Sequence, residues 1–193
     1  MCWVALDCAI ALADLLRASG RVDSWKQQRD EIWETVMREA WSKEAGAFPQ
    51  YIGSIALDAA NLMMAIVGFL PATDPRMLAT IDAIEERLTD DRGLVHRYRT
   101  EDGVDGLAGE EGSFLLCTFW LAQALALADQ VDRARAVFER AAAFANDLGL
   151  LAEEVNADTG ELLGNFPQAL SHIGLVNAAW AISESERRAR SCV

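Results

Sequence analysis

The chain has 193 residues, enough for one sizeable core, and 52% of them are hydrophobic; without low-complexity segments or charge blocks, it reads as folded rather than disordered. Lys and Arg number 17 against 30 Asp and Glu, a net charge of −13. That charge repels phosphate backbones and anionic membranes but not a neutral ligand such as a sugar, so neither a nucleic acid nor a membrane is expected as a partner.

Residues 1–18 read as a helix apolar nearly all round, with Trp3, Leu6, Ile10, Ala13 and Leu16 among its core positions and Gly20 at its end. The segment has the hydrophobicity of a signal peptide, but no basic residues lead it and Asp7 and Asp14 interrupt it, so a helix is the better reading. Ser24 with Gln27 makes a capping box for a second helix, about sixteen residues long. Its Ile32, Trp33, Val36, Met37, Ala40 and Trp41 share one face. A loop over 42–54 carries Phe48, Pro49, Gln50, Tyr51 and Gly53, and residues 57–70 are again apolar all round, stopping before Pro71.

Asp74-Pro75 caps and starts the next helix, one-faced through Met77, Leu78, Ile81, Ile84 and Leu88. A long charged loop with several glycines covers 90–112, and 113–128 form a third all-round apolar helix. This helix is short for a membrane span and contains Thr118 and Gln123. After a tight link at Asp129-Gln130, residues 131–147 are one-faced through Val131, Ala134, Val137, Phe138, Ala141 and Ala145. The stretch from Gly149 to Ala179 opens with Glu153-Glu154 in a turn-rich loop holding Asn156, Asp158, Thr159, Gly160 and Gly164. It feeds a helix capped by Asn165, with Pro167 in its first turn, running to about Ile182. Residues 183–193 read as a polar tail.

Helices that are apolar all round thus alternate with helices that are apolar on one face, the first kind buried between neighbours and the second packing one side inward. The buried kind recurs near Trp3, Leu57, Phe114 and Pro167, a weak period that marks stacked helix pairs. The fold expected is all-α, an inner and an outer layer of antiparallel helices, with about seven helices over residues 1–182. The long loops precede the inner helices, so they gather at one end, where a site is expected. The opening helix has no loop before it, and the chain is therefore expected to be the C-terminal part of something longer.

A paired carboxylate on a loop at a helix N-terminus suits acid/base work, because the helix end favours the ionised form; the competing reading of Glu153 and Glu154 is a pair of solvated loop charges. His96 and His172 stand in no H-x-x-x-H or H-E-x-x-H pattern, and no G-x-S-x-G elbow occurs. Cys2, Cys8, Cys117 and Cys192 lack C-x-x-C and zinc spacing. Packed or hydrogen-bonded histidines, a buried thiol at Cys117, no metal and no cofactor are expected, in a reducing cytoplasm.

The last stretch, together with RYRTEDGVDGLAGEEGSFLLCTFWLAQALAL (97–127), VGFLPATDPR, MCWVALD and the pair LLAEE…GNFPQALSH, resembles the bacterial glucoamylase-like and trehalase-like enzymes of glycoside hydrolase family 15 over residues 1–180. The resemblance implies an (α/α)6 toroid of six inner and six outer helices, of which this chain supplies roughly the last seven. It implies hydrolysis of α-linked glucose, in a malto-oligosaccharide or trehalose, with inversion by a general acid and a general base. It places the base at Glu153, its hydrogen-bonding support at Ser171, a sugar-binding arginine and its aromatic neighbour at Arg97 and Tyr98, and further site residues at Glu111 and Trp120. Glu154 then reverts to an ordinary loop carboxylate.

Three departures from that pattern stand out. The family's acid lies upstream of the helix that begins MCWVALD, so it is expected to be missing from this chain, which would cost most of the rate. Ile55 stands where relatives usually carry an acidic residue, and Glu110 replaces a glycine common in the GGEG motif. Against the roles implied by the resemblance stand plainer ones: Arg97 as a surface arginine, Glu111 as a cap for the helix at Ser113, and Tyr51, Phe48 and Trp120 as core aromatics rather than stacking platforms. The rival functions are a non-catalytic remnant that binds sugar or nothing, and a helical-repeat interaction module. An arc of helices that does not close would leave the faces of the first and last helices in water, so self-association is expected.

Overall fold

The thirteen residues LLCTFWLAQALAL include no charge at all, and a helix of that composition has to be surrounded. In a computed structural model, which describes residues 1–99 and 112–191, they form α5 (Leu115–Leu127) at the centre of the molecule. Leu115, Phe119, Ala122, Leu125 and Ala126 have no measurable exposure. Around α5 pack α6 (Val131–Ala142), α7 (Ala169–Ser191), the short α3 (Met63–Ile66) and a 3₁₀ turn at Ala59–Leu62. Phe119 meets Phe138 of α6 with ring centroids 5.8 Å apart. Gly174 lets α7 come close: a Cβ there would stand 3.0 Å from a Leu116 methyl and 3.2 Å from the Phe119 Cβ.

Two outer helices follow the expected one-faced pattern, while the second helix of the chain (Val22–Glu39) buries no residue fully and leaves Trp33 exposed. In α4 (Pro75–Leu88) the Asp74 carboxylate accepts from the Arg76 N–H at 2.9 Å, Pro75 occupies the first turn, and Met77, Ile81, Ile84 and Leu88 are buried. In α6, Ala134, Val137 and Ala141 are buried. The link before α6 is tight because Asp129 adopts a left-handed φ of 58°, its N–H donating to Ala126 and that of Gln130 to Leu125. Two of the expected inner helices are not enclosed. Of α1 (Cys2–Ala11) no residue is buried, although Trp3 packs edge-on against Phe69 at 5.2 Å. On α7 one face is buried through Ser171, Gly174, Ala178 and Ile182, while Leu170, Ile173, Val176 and Trp180 are exposed, Trp180 at 68%. Both helices sit at the ends of the arc, where no described helix covers their outer sides.

Several boundaries differ from the reading of the sequence. The first helix ends at Ala11, and turns carry the chain on to a closing motif in which Ala18 N–H donates to Ala13 and Arg17 N–H to Asp14. The left-handed residue there is Arg17, φ 51°, rather than Gly20. The capping box at Ser24 and Gln27 does not form, because α2 (Val22–Glu39) has already begun from a 3₁₀ turn at Ser19–Arg21 and Gln27 instead donates to Glu31 one turn on. Residues 57–70 are not one long helix. Asp58 caps the Ala60 N–H at 2.7 Å, which delays the start, and Gly68 at φ 72° stops α3 after a single turn. Conversely α7 passes Ile182 and continues to Ser191. Its charged end gains helical support from Arg187–Glu184 and Arg190–Glu186 pairs and is anchored by Ser185 and Arg188, both 3.2 Å from Asp129 Oδ1.

No helix among the described residues is long and apolar enough to cross a membrane. Thr118, fully buried on α5, ties the loop at Val95 to the helix, accepting from the Val95 N–H at 2.9 Å and donating to the Phe114 carbonyl at 3.1 Å. Thr118→Val keeps the shape but leaves that N–H without a partner. It is expected to lower stability by about 1–3 kcal/mol, read as a shifted urea midpoint with an unchanged slope.

Candidate active site

Three two-residue strands assemble in front of the N-terminus of α5: β1 (Ser113–Phe114), β2 (Glu154–Val155) and β3 (Leu162–Leu163), antiparallel in the order β1-β2-β3. Ser113 pairs with Val155 and Phe114 with Glu154, while Glu154 pairs with Leu163. Glu154 opens β2 and Glu153 stands in the bend just before it, and their carboxylates meet different partners. The Glu154 carboxylate turns to the Gly112 N–H at 3.0 Å. The Glu153 carboxylate turns to Asn165, where its Oε2 accepts from the backbone N–H at 3.0 Å and from the side-chain amide at 2.8 Å.

Backbone bonds hold this segment from several sides. The Glu153 N–H donates to the Asn165 carbonyl, the Leu115 N–H to the Glu153 carbonyl, and the Gln168 N–H to the Leu151 carbonyl. Ser171, with no exposure, donates to the Ala152 carbonyl at 2.8 Å, and His172 Nε2 accepts from the Leu151 N–H at 3.2 Å. From the opposite loop Arg92 reaches over to the carbonyls of Ala157 and Asp158, at 2.6 and 2.5 Å. Gly164 has a left-handed φ of 71°, and a Cβ on it would lie 2.9 Å from both the Cβ and Oε2 of Glu153.

Beside Glu153 opens a cleft of about 230 Å³ lined by Ala60, Arg97, Phe114, Leu116, Cys117, Trp120, Glu153, Gln168, Leu170 and Ser171. Its walls come from the 3₁₀ turn at 59–62 and from the first turns of α5 and α7, so it lies at the N-terminal ends of the inner helices. Arg97, Trp120, Glu153 and Ser171, each singled out in the sequence, meet there. Tyr98 joins them through Arg97, whose guanidinium carbon stands 5.5 Å from the centroid of its ring. Glu111 and Glu110 lie outside the described residues. Ser171 lies beside the Glu153 segment, but its hydroxyl supports the backbone of Ala152 rather than the carboxylate, and the groups bonded to the Glu153 carboxylate belong to Asn165. In the sequence Asn165 reads as a helix cap; α7 begins only at Ala169, and the amide is turned to Glu153 instead.

The remaining candidates fall to plainer roles. Phe48 is buried edge-on against Trp41 at 5.3 Å, as a core aromatic; Tyr51 is exposed and so is not one, and Ile55 is exposed too. His96 Nδ1 lies 3.5 Å from the Ser113 hydroxyl, which donates to Asp90 at 2.6 Å. Among the described residues no group of three or more His, Cys, Asp or Glu is placed to hold a metal ion. A second, larger cleft of about 660 Å³ separates the α1–α2 pair from α3 and Phe69; Ala60 and Trp120 border both openings.

Two helical layers with a carboxylate at the inner-helix N-termini define part of a glycosidase-type α/α toroid. A solved glycosidase shares the fold with a TM-score of 0.74 at 23% identity, over 91% of this chain and 48% of its own. A bacterial glucoamylase complexed with acarbose does so with a TM-score of 0.79 at 17% identity, over 95% of this chain and 32% of its own. The chain belongs to the glycosyl hydrolases family 15, whose family model matches residues 1–180.

Relatives in sequence include a trehalase of Mycolicibacterium smegmatis, 45% identical over 99% of this chain, and a trehalase of Thermoplasma acidophilum, 43% identical over 96% of it. The chain spans 28% and 31% of the length of those two relatives.

Proposed function

We propose that this chain carries the general-base half of an inverting hydrolase site for α-linked glucose, with trehalose as the favoured substrate. The observation that carries the reading is the cleft itself, which gathers Glu153, Arg97, Trp120 and Ser171 at one opening. Glu153 takes the proton of the attacking water. Asn165, bonded twice to Oε2, leaves Oε1 as the oxygen turned to that water. Arg97 donates to sugar hydroxyls, backed by the Tyr98 ring, and Trp120 offers an apolar wall to the pyranose face. Trehalose is favoured over malto-oligosaccharides by the relatives, which are trehalases. A glycosidase variant of the same fold, 22% identical, is solved in complex with glucose, which supports glucose as the unit bound.

Glu153 is the only carboxylate among the lining residues described, so the acid that protonates the leaving oxygen comes from outside that lining. The decisive substrate is therefore one whose leaving group needs no proton. α-D-Glucosyl fluoride is expected to be hydrolysed by the chain with β-glucose as the first product, followed by proton NMR before mutarotation. α-Glucose as the first product, or no turnover by the folded chain, counts against the assignment. The apolar faces of α1 and α7 support self-association as a further property of the chain.

A further inference from the structure

Four polar side chains line the cleft, and they are not equally available to a ligand. Glu153 only accepts. The Ser171 hydroxyl hydrogen is committed to the Ala152 carbonyl. That leaves Arg97, Gln168 and the Trp120 indole N–H as donors. Gln168 is half-buried, and its backbone is fixed by the N–H bond to the Leu151 carbonyl at 2.8 Å, two residues from the base. Its Oε1 accepts from the Leu170 N–H at 3.3 Å, at the start of α7. With the oxygen bonded to the Leu170 N–H, the two Nε2 hydrogens of this cleft-lining residue have no protein acceptor among the described residues.

We infer that Gln168 is a sugar-binding residue, its Nε2 donating to a glucose hydroxyl on the side of the ring next to Glu153. The inference rests on the sugar-site reading above and adds a residue and a direction to it. A neutral amide suits this place. A cation so near Glu153 would pair with the base, whereas an amide donates to a hydroxyl while the carboxylate stays open to water. Phe114, Leu116 and Leu170 offer a hydroxyl nothing, so a hydroxyl buried against them beyond the reach of Arg97 and Trp120 would go unpaired without Gln168.

The test is binding, which needs no turnover. α-D-Glucose and trehalose are titrated by calorimetry into the wild-type chain and into Gln168→Leu, with melting curves to confirm that the variant folds. The expected result is a loss of affinity of about tenfold in Gln168→Leu. The set of monodeoxyglucoses then separates contact from packing. One deoxy position is expected to weaken binding to the wild-type chain and to weaken it no further in Gln168→Leu. Wild-type-like affinity in the variant, or equal sensitivity of both proteins to every deoxy position, overturns the inference and leaves the sugar site standing. A wild-type chain that binds neither sugar overturns both.

Discussion

Glu153→Gln is expected to slow the release of glucose from α-D-glucosyl fluoride by about 10³-fold while KM changes little. The amide keeps the size of the carboxylate and one oxygen for the Asn165 donors, so the loop retains its bonds and the melting temperature stays near that of the parent. What it loses is the ability to take a proton from water, the role assigned to this side chain. Fluoride departs without protonation, so the measurement is blind to the source of the acid and reads the base alone. A variant as active as the parent would return Glu153 to the solvated loop charge that composition suggests. The neighbouring Glu154→Gln serves as the control: its side chain points to the Gly112 N–H, and its rate is expected to stay within a few-fold of the parent.

Gly164→Ala is expected to damage the site more than the fold. An alanine at φ 71° costs about 1–2 kcal/mol in backbone strain. The added methyl also needs space already taken, since it would lie 2.9 Å from the Glu153 Cβ and Oε2. The carboxylate has to swing off Asn165, and a displacement of about 1 Å at a reacting group costs on the order of 10² in rate. Hydrolysis of the fluoride by the folded variant is therefore expected to fall about a hundredfold, against a melting temperature lowered by only a few degrees. Asn165→Ala, which removes one of the two donors and leaves the backbone N–H in place, should fall between this variant and the parent. Equal activity in Gly164→Ala would mean that the carboxylate tolerates the move and that its position is not set by this turn.

How legible these features are in the sequence depends on how local their causes are. The α4 start is written in two adjacent residues, Asp74 and Pro75, and the buried face of that helix follows from spacing alone. The all-round apolar run of α5 announces its central place. The ends of α1 and α7 are different. Arg17 closes the first segment in a left-handed conformation that a glycine three residues later appeared better suited to take. The charged end of α7 stays helical because Asp129, more than fifty residues earlier, receives Ser185 and Arg188. Such partners cannot be found by scanning a window. The same holds for the site. Spacing shows two carboxylates on a loop, but choosing Glu153 over Glu154 from spacing alone would require their partners, Asn165 for the one and the Gly112 N–H for the other. Arg97, Trp120 and Ser171 are picked out by the family resemblance. Asn165 and Gln168 are hidden by their residue type, because an asparagine or glutamine before a helix reads equally well as a cap.

The segment around Glu153 is bonded to residue 92 on one side, to residues 112 and 115 on another, and to the start of α7 on a third. The bonds to residues 92, 112 and 115 close loops of 38 to 66 residues, whereas those to Asn165 and Ser171 close only 12 and 19, and closure entropy rises with loop length. The Asn165 clasp on the carboxylate is therefore local, but its seating against the N-terminus of α5 and the loop at residue 92 belongs to the non-local, slow part of the contact map. A chain that has formed its helices but not yet joined these loops would carry most of its secondary structure and no assembled cleft.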